Sequence, residues 1–235
     1  MKPRLLRWSY SVWSQLQVCP ASVKFSRIDK LPVPSAPPIE RGNTIHLKAE
    51  HFLKGNIQGL PKEFIKLKTE YMQLKRMHPE HIEEFWSVDR KNFKRVHDGY
   101  RYGWFTLKAD AACKPRKGVA ISVDHKTGKI YDSHDAQAEL TAMMHHIWYP
   151  DADVYDVEFF YVDQGLVIPY EYKPGYLKKI IPKWRERGEE VMAERKFLPT
   201  PSIDACKWCA FRSDKLLENG KKGPCNAWRV IKELK

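Results

Sequence analysis

Asp124 and Lys126 stand two residues apart at the end of the apolar run GVAISV, in the stretch AISVDHKTGK (residues 120–129). Positions i and i+2 of a strand project to one face, so the carboxylate and the ammonium leave the chain side by side. Burying such a pair is costly unless it has partners. One reading is a structural ion pair at a strand end. The other requires more carboxylates, and the preceding segment TLKADAAC supplies Asp110. With a hairpin turning around 114–118, Asp110 and Asp124 become near neighbours across the ladder. Two carboxylates that close repel unless a cation lies between them. An oxygen-rich site of this kind suits Mg²⁺ or Mn²⁺. The chemistry it favours is phosphodiester hydrolysis, in which a metal polarises the phosphate and lowers the pKa of bound water. The ammonium places that water or offsets developing charge.

The elements that must position these groups can be read from periodicity. YSVWSQLQVCPASVKFSR reads as a short helix interrupted at Pro20, and LPVPSAPPIE (31–40) as an extended connector. RGNTIHLKAEHFLKG places Ile45, Leu47, Ala49, Phe52 and Leu53 at helical spacing and closes on Gly55. LPKEFIKLKTEYMQLKRM is a second helix. The period then changes. GYRYGWFTLKADAACK and GVAISVDHK read as two strands joined by the basic turn CKPRKG, DAQAELTAMMHHIWY as a helix, and VYDVEFFYVD and LVIPYEY as a second strand pair around Gln164-Gly165. A long helix with Pro182 inside follows, then a tail with three cysteines. The expected fold is α/β, a central mixed sheet flanked by helices. The 235 residues suit a single domain, divided into a 1–40 N-terminal segment, a 41–200 core and a 201–235 cysteine tail.

The combination AD…VDHKTGK resembles the PD-(D/E)xK nucleases, and DHKTGK is similar to their RecB-like branch. That branch also carries a helical GxxxHxxxE, matched by Gly42, His46 and Glu50, and a glutamine on the helix after the D-x-K strand, matched by Gln137. Thr141 stands where the branch has an aromatic residue four positions after that glutamine. The resemblance covers roughly residues 42 to 140. It implies a restriction-endonuclease-like core in which His46, Asp110, Asp124 and the backbone carbonyl of His125 hold the metal. It implies that Lys126 serves the attacking water and that Gln137 orients the site or contacts DNA. Glu50, at i+4 from His46, shares its helix face and would hold the imidazole.

The five cysteines are Cys19, Cys113, Cys206, Cys209 and Cys225. An odd count without a secretion signal argues against a disulfide framework. Cys206, Cys209 and Cys225 form C-x₂-C-x₁₅-C, a metal-type spacing that lacks a fourth ligand, and no histidine follows His146. Iron–sulfur members of the RecB-like nucleases, among them the AddB nuclease domain and small CRISPR-associated exonucleases, carry one cysteine before the core and three after it. That resemblance implies a [4Fe–4S] cluster on Cys19, Cys206, Cys209 and Cys225, joining the N- and C-terminal segments. Zn²⁺ on the same thiolates and unligated structural cysteines are the alternatives.

Lys and Arg exceed Asp and Glu by 41 to 29, a formal charge of +12. Such a surplus favours polyanions. No run of roughly 18 apolar residues that would span a membrane is present, and the N-terminus does not form a signal peptide. A cytoplasmic location in a bacterial, archaeal or phage-infected cell is expected. Trp8, Tyr10, Trp13, Trp86, Tyr100, Tyr102, Trp104 and Trp148 are interleaved with basic residues, a pattern that suits single-stranded nucleic acid as well as core packing. Lys114, Arg116 and Lys117, in the expected hairpin turn near the metal site, are candidate DNA contacts. The function expected is a Mg²⁺- or Mn²⁺-dependent DNA exonuclease acting on single strands or duplex ends. Phage recombination, repair and CRISPR adaptation, with their partner proteins, are the settings it suits. Rivals are a structure-specific endonuclease or nickase, a non-catalytic DNA-binding module, and a metal-stabilised interaction protein.

Overall fold

The computed structural model describes residues 4–96, 102–130 and 134–233. The chain forms two compact units. One joins Met1–Ser35 with Glu186–Lys235, and the other is Ala36–Arg185.

The larger unit is built on five strands: β1 His81–Val88, β2 Phe105–Arg116, β3 Val119–Lys126, β4 Val154–Tyr161 and β5 Leu166–Tyr172. They form one mixed sheet in the order β1-β2-β3-β4-β5. All neighbours are antiparallel except β3 and β4, which are parallel. A parallel pair requires a crossover, supplied by the helix His134–Trp148. The helix Pro37–Leu53 buries Ile45, Ala49, Phe52 and Leu53, an i, i+4, i+7, i+8 stripe. Together with the helix Lys68–Arg76 it packs on Ala111, Val123 and Phe160 of the sheet. In chain order the helices are α1 Tyr10–Val18, α2 Pro20–Val23, α3 Pro37–Leu53, α4 Lys68–Arg76, α5 His134–Trp148, α6 Pro174–Ala193, α7 Ile203–Trp208 and α8 Arg229–Glu233.

Four expectations need correction. The proline-rich 31–40 stretch is not extended throughout, because α3 begins inside it with Pro at its first turn. Proline is favoured there, since its missing N–H has no intrahelical partner anyway. The segment 62–76 starts as a 3₁₀ turn, Lys62–Leu67, before α4. Strand β1 was not anticipated. The hairpin is tighter than CKPRKG, since β2 runs to Arg116 and β3 starts at Val119, with a register shift between Cys113 and Arg116. Gly118 turns the chain at φ +79°, and a Cβ there would come within 2.6 Å of an Asp153 carboxylate oxygen. The anticipated β2 start at 99–101 lies outside the described residues; β2 begins at Phe105. Among the described residues no helix is long and apolar enough to cross a membrane.

The other end of α5 buries His145, whose ring nitrogens have no hydrogen-bond partner among the described residues. The ring is packed among Trp86, Tyr149 and Tyr155. Burial pushes its pKa down from 6.5 to about 3, so the folded protein keeps it neutral while the unfolded chain protonates it. Between those values the unfolded state binds the extra proton, and stability falls as pH falls. Thermal unfolding from pH 7 to pH 4 is expected to show this loss, and His145→Leu is expected to flatten it.

Candidate metal centre

Asp110 and Asp124 lie one step beyond the last β2–β3 pair, Ala111↔Val123. The strands part there, and His125 on β3 would lose its backbone acceptor. Asp110 replaces it: its Oδ2 accepts the His125 N–H at 2.9 Å, as a buried amide requires. Strand β3 stays anchored on its other side, with Asp124, His125 and Lys126 paired to Phe159, Phe160 and Tyr161.

A third carboxylate completes the group. The β1–β2 pairs Ile82↔Ala111 and Glu84↔Ala109 flank Glu83 and Asp110, so Glu83, Asp110 and Asp124 occupy one row across three strands. Glu83 has φ +56°, a left-handed backbone that is strained for a non-glycine residue. The effect is to break the alternation of side chains. Ile82 packs with α3 and α4, and Glu83 also meets α3, through His46. His81 meets both Glu84 and Trp86.

His46 Nδ1 lies 3.0 Å from Glu83 Oε1 and 3.3 Å from Asp110 Oδ2. Burial disfavours the imidazolium, but the hydrogen bonds and charges of Asp110 and Glu83 outweigh it and raise His46 to about 10. Burial likewise raises Asp110, yet His46 and the His125 N–H hold it below the usual carboxylate range. Asp124 is pushed up, by burial first and by the Asp110 charge, against the pull of Lys126. His46 thus keeps its proton between the carboxylates of Asp110 and Glu83, and a divalent cation on the same atoms would displace it.

His46, Glu83 and Asp110 each offer a ligand atom within 4.8 Å of the others, the one such group of His, Cys, Asp or Glu among the described residues. One imidazole with clustered carboxylate oxygens fits a hard divalent cation. Asp124 stands beside this group with its carboxylate engaged elsewhere. Lys126 Nζ is 2.8 Å from Asp124 Oδ1 and donates to Gln137 Oε1 at 2.8 Å. Gln137 Nε2 donates to Asp124 Oδ2. The ammonium also lies 4.9 Å from the centre of the Phe159 ring. Asp124, Lys126 and Gln137 form a closed triangle that fixes the amine.

Two placements differ from expectation. Glu50 does not hold the imidazole; it pairs with Lys54 at 2.6 Å, one turn along α3. Glu83 has that role, and its other oxygen pairs with Lys108. Lys114, Arg116 and Lys117 are not near the site. At about 3.3 Å per residue Arg116 lies roughly 20 Å along the strand from Asp110, and Lys114 is paired with Asp151. Tyr71 was also unanticipated. Its buried hydroxyl meets His125 Nδ1 at 3.0 Å, fixing the residue whose amide holds Asp110.

The cysteines fall into the two units. Cys113 is buried on β2, where burial pushes its thiol up to about 11. Cys19, Cys206, Cys209 and Cys225 all line one cavity of about 280 Å³ in the smaller unit. Cys19 sits between α1 and α2, Cys206 lies in α7 and Cys209 caps it. Cys225 reaches them because Gly223 lies against the preceding segment, where a Cβ would come 2.4 Å from the Arg212 carbonyl oxygen. Burial and the neighbouring Cys225, Cys19 and Cys206 raise Cys209. Of the aromatics, Trp8, Trp86, Trp104 and Trp148 are core residues, Tyr102 is exposed, and Tyr100 lies outside the described residues.

A family model described as the PD-(D/E)XK nuclease superfamily matches residues 7–213. The comparison with curated proteins finds no match. Among solved structures, the crystal structure of SSO0001 is similar in shape at a TM-score of 0.45 and 18% identity, over 87% of this chain and 83% of that one. Mn²⁺ titration by calorimetry is expected to show Glu83→Gln weakening binding by about tenfold or more while Glu50→Gln leaves it unchanged. Equal losses would return Glu50 to the site.

Proposed function

The chain belongs to the PD-(D/E)XK nuclease superfamily, and from that premise we propose that it is a RecB-like, Mg²⁺- or Mn²⁺-dependent DNA exonuclease. The observation that carries the reading is Lys126, held by Asp124 and Gln137 beside the cluster of His46, Glu83 and Asp110. His46, Asp110 and Glu83 would hold the cation, with Asp124 next to them and, as the resemblance implies, the His125 carbonyl. When bound, the cation supplies charge to polarise a phosphodiester and to lower the pKa of a water. Lys126 keeps its ammonium at the mouth of the cluster, where it can hold that water and offset charge developing on the phosphate. Gln137 fixes both Lys126 and Asp124, so it positions the amine. In this reading Ala36–Arg185 is the catalytic core, and the terminal unit elaborates it. Basic composition supports DNA as the substrate, and the branch resemblance supports the exonucleolytic mode, in phage, repair or CRISPR-type DNA processing inside the cell. A structure-specific endonuclease of the same fold is the alternative. Digestion of end-labelled single- and double-stranded DNA with either metal tests it. Lys126→Ala is expected to abolish cleavage while DNA binding persists. Wild-type protein inert on every DNA with both metals would refute the reading.

We further infer that Cys19, Cys206, Cys209 and Cys225 ligate a [4Fe–4S] cluster. The four thiols line one cavity of about 280 Å³, and the branch resemblance, with one cysteine before the core and three after it, supports the cluster over zinc. Brown protein with labile sulfide after anaerobic purification is expected. Colourless protein with stoichiometric zinc decides for zinc.

A further inference from the structure

Trp208 is 79% exposed. Of the other seven tryptophans, Trp13 is half-buried and the rest are buried. The exposed indole is not on a loose tail. Ser202 caps α7 by accepting the Ala205 N–H at 3.1 Å, and the Cys209 N–H closes it on the Cys206 carbonyl at 3.2 Å. Cations surround the same short helix. Lys207 Nζ lies 5.1 Å from the indole centre. Lys215 Nζ donates to the Lys207 carbonyl at 3.5 Å, and Arg212 donates to the Cys206 carbonyl at 3.4 Å. Arg212 is neutralised by Asp214, which leaves Lys207 and Lys215 as the available charges.

The unit around this helix is also the more basic one. Met1–Ser35 with Glu186–Lys235 holds 17 Lys and Arg against 9 Asp and Glu, whereas Ala36–Arg185 holds 24 against 20. About two-thirds of the net charge of +12 thus lies on the smaller unit. A protruding flat ring flanked by lysines is poorly suited to a protein interface, whose centre is depleted in lysine. It suits a polyanion that offers aromatic faces. Duplex DNA keeps its base faces stacked away; an unpaired strand presents them.

We propose that Trp208 is a base-stacking platform for single-stranded DNA, with Lys207 and Lys215 as its phosphate contacts. The proposal rests on the DNA-nuclease reading above. Stacking and phosphate contact have different signatures. Removing a phosphate-contacting lysine lowers the slope of log affinity against log salt, because fewer counterions are released. Removing a stacking ring lowers affinity at every salt concentration and leaves the slope unchanged.

The test is fluorescence anisotropy of labelled oligothymidylate with the full chain, in a Lys126→Ala background to prevent cleavage, over a series of salt concentrations. Trp208→Ala is expected to weaken binding by about fivefold to a hundredfold at constant slope. Trp208→Phe is expected to retain most of it. Lys207→Ala with Lys215→Ala is expected to reduce the slope. Circular dichroism of each variant guards against misfolding, which is not expected at an exposed position. Oligothymidylate affinity unchanged in Trp208→Ala overturns the platform while the nuclease reading stands, provided the wild type cleaves. Wild-type protein that neither binds nor cleaves any DNA removes both.

Discussion

Like charge held at close quarters is the constraint around which the larger unit is organised. Glu83, Asp110 and Asp124 share one row across β1, β2 and β3, and Asp110 is almost fully buried. Three carboxylates so placed repel strongly in a medium of low dielectric. The folded chain answers with a proton on His46, with Lys108 on Glu83 and with Lys126 on Asp124. Each countercharge comes from a different element, so α3, β2 and β3 must all be in place before the row is tolerable. A divalent cation bound there would supply the same compensation with a single charge centre, and so would couple the site to the fold.

The backbone carries part of the cost. Glu83 adopts a conformation that costs an L-residue about 1–3 kcal/mol, and the parting of β2 from β3 leaves an amide that Asp110 satisfies. Neither feature improves the sheet. Both turn carboxylates toward His46 and open the row at one point. Tyr71 and His125 add a buried polar contact next to it.

Much of this was legible in the sequence because it follows short-range rules. Asp124 and Lys126 share a strand face by spacing. Asp110 follows from the hairpin, whose turn was drawn too long but in the right place, and the observed Ala111↔Val123 pair sets 110 beside 124. His46 and Gln137 came from the family resemblance. Glu83 was not legible. It sits beside Glu84 in HIEEFW, and nothing local tells which acid turns inward, because a left-handed residue breaks the alternation on which such a choice rests. Glu50 misled for a complementary reason: the i+4 rule that pointed it at His46 also serves Lys54, with which it pairs. Tryptophan burial follows tertiary packing rather than composition, so Trp208 went unmarked while buried Trp86 and Trp104 were noted.

Manganese introduced into crystals of the full chain can be located directly by its anomalous scattering. A peak bonded to His46, Asp110 and at least one of Glu83 and Asp124 is the expected result, with Lys126 beside it and not among the ligands. Manganese bound only elsewhere at saturating concentration, with these side chains still joined to one another, would contradict the assignment of this cluster as the metal centre.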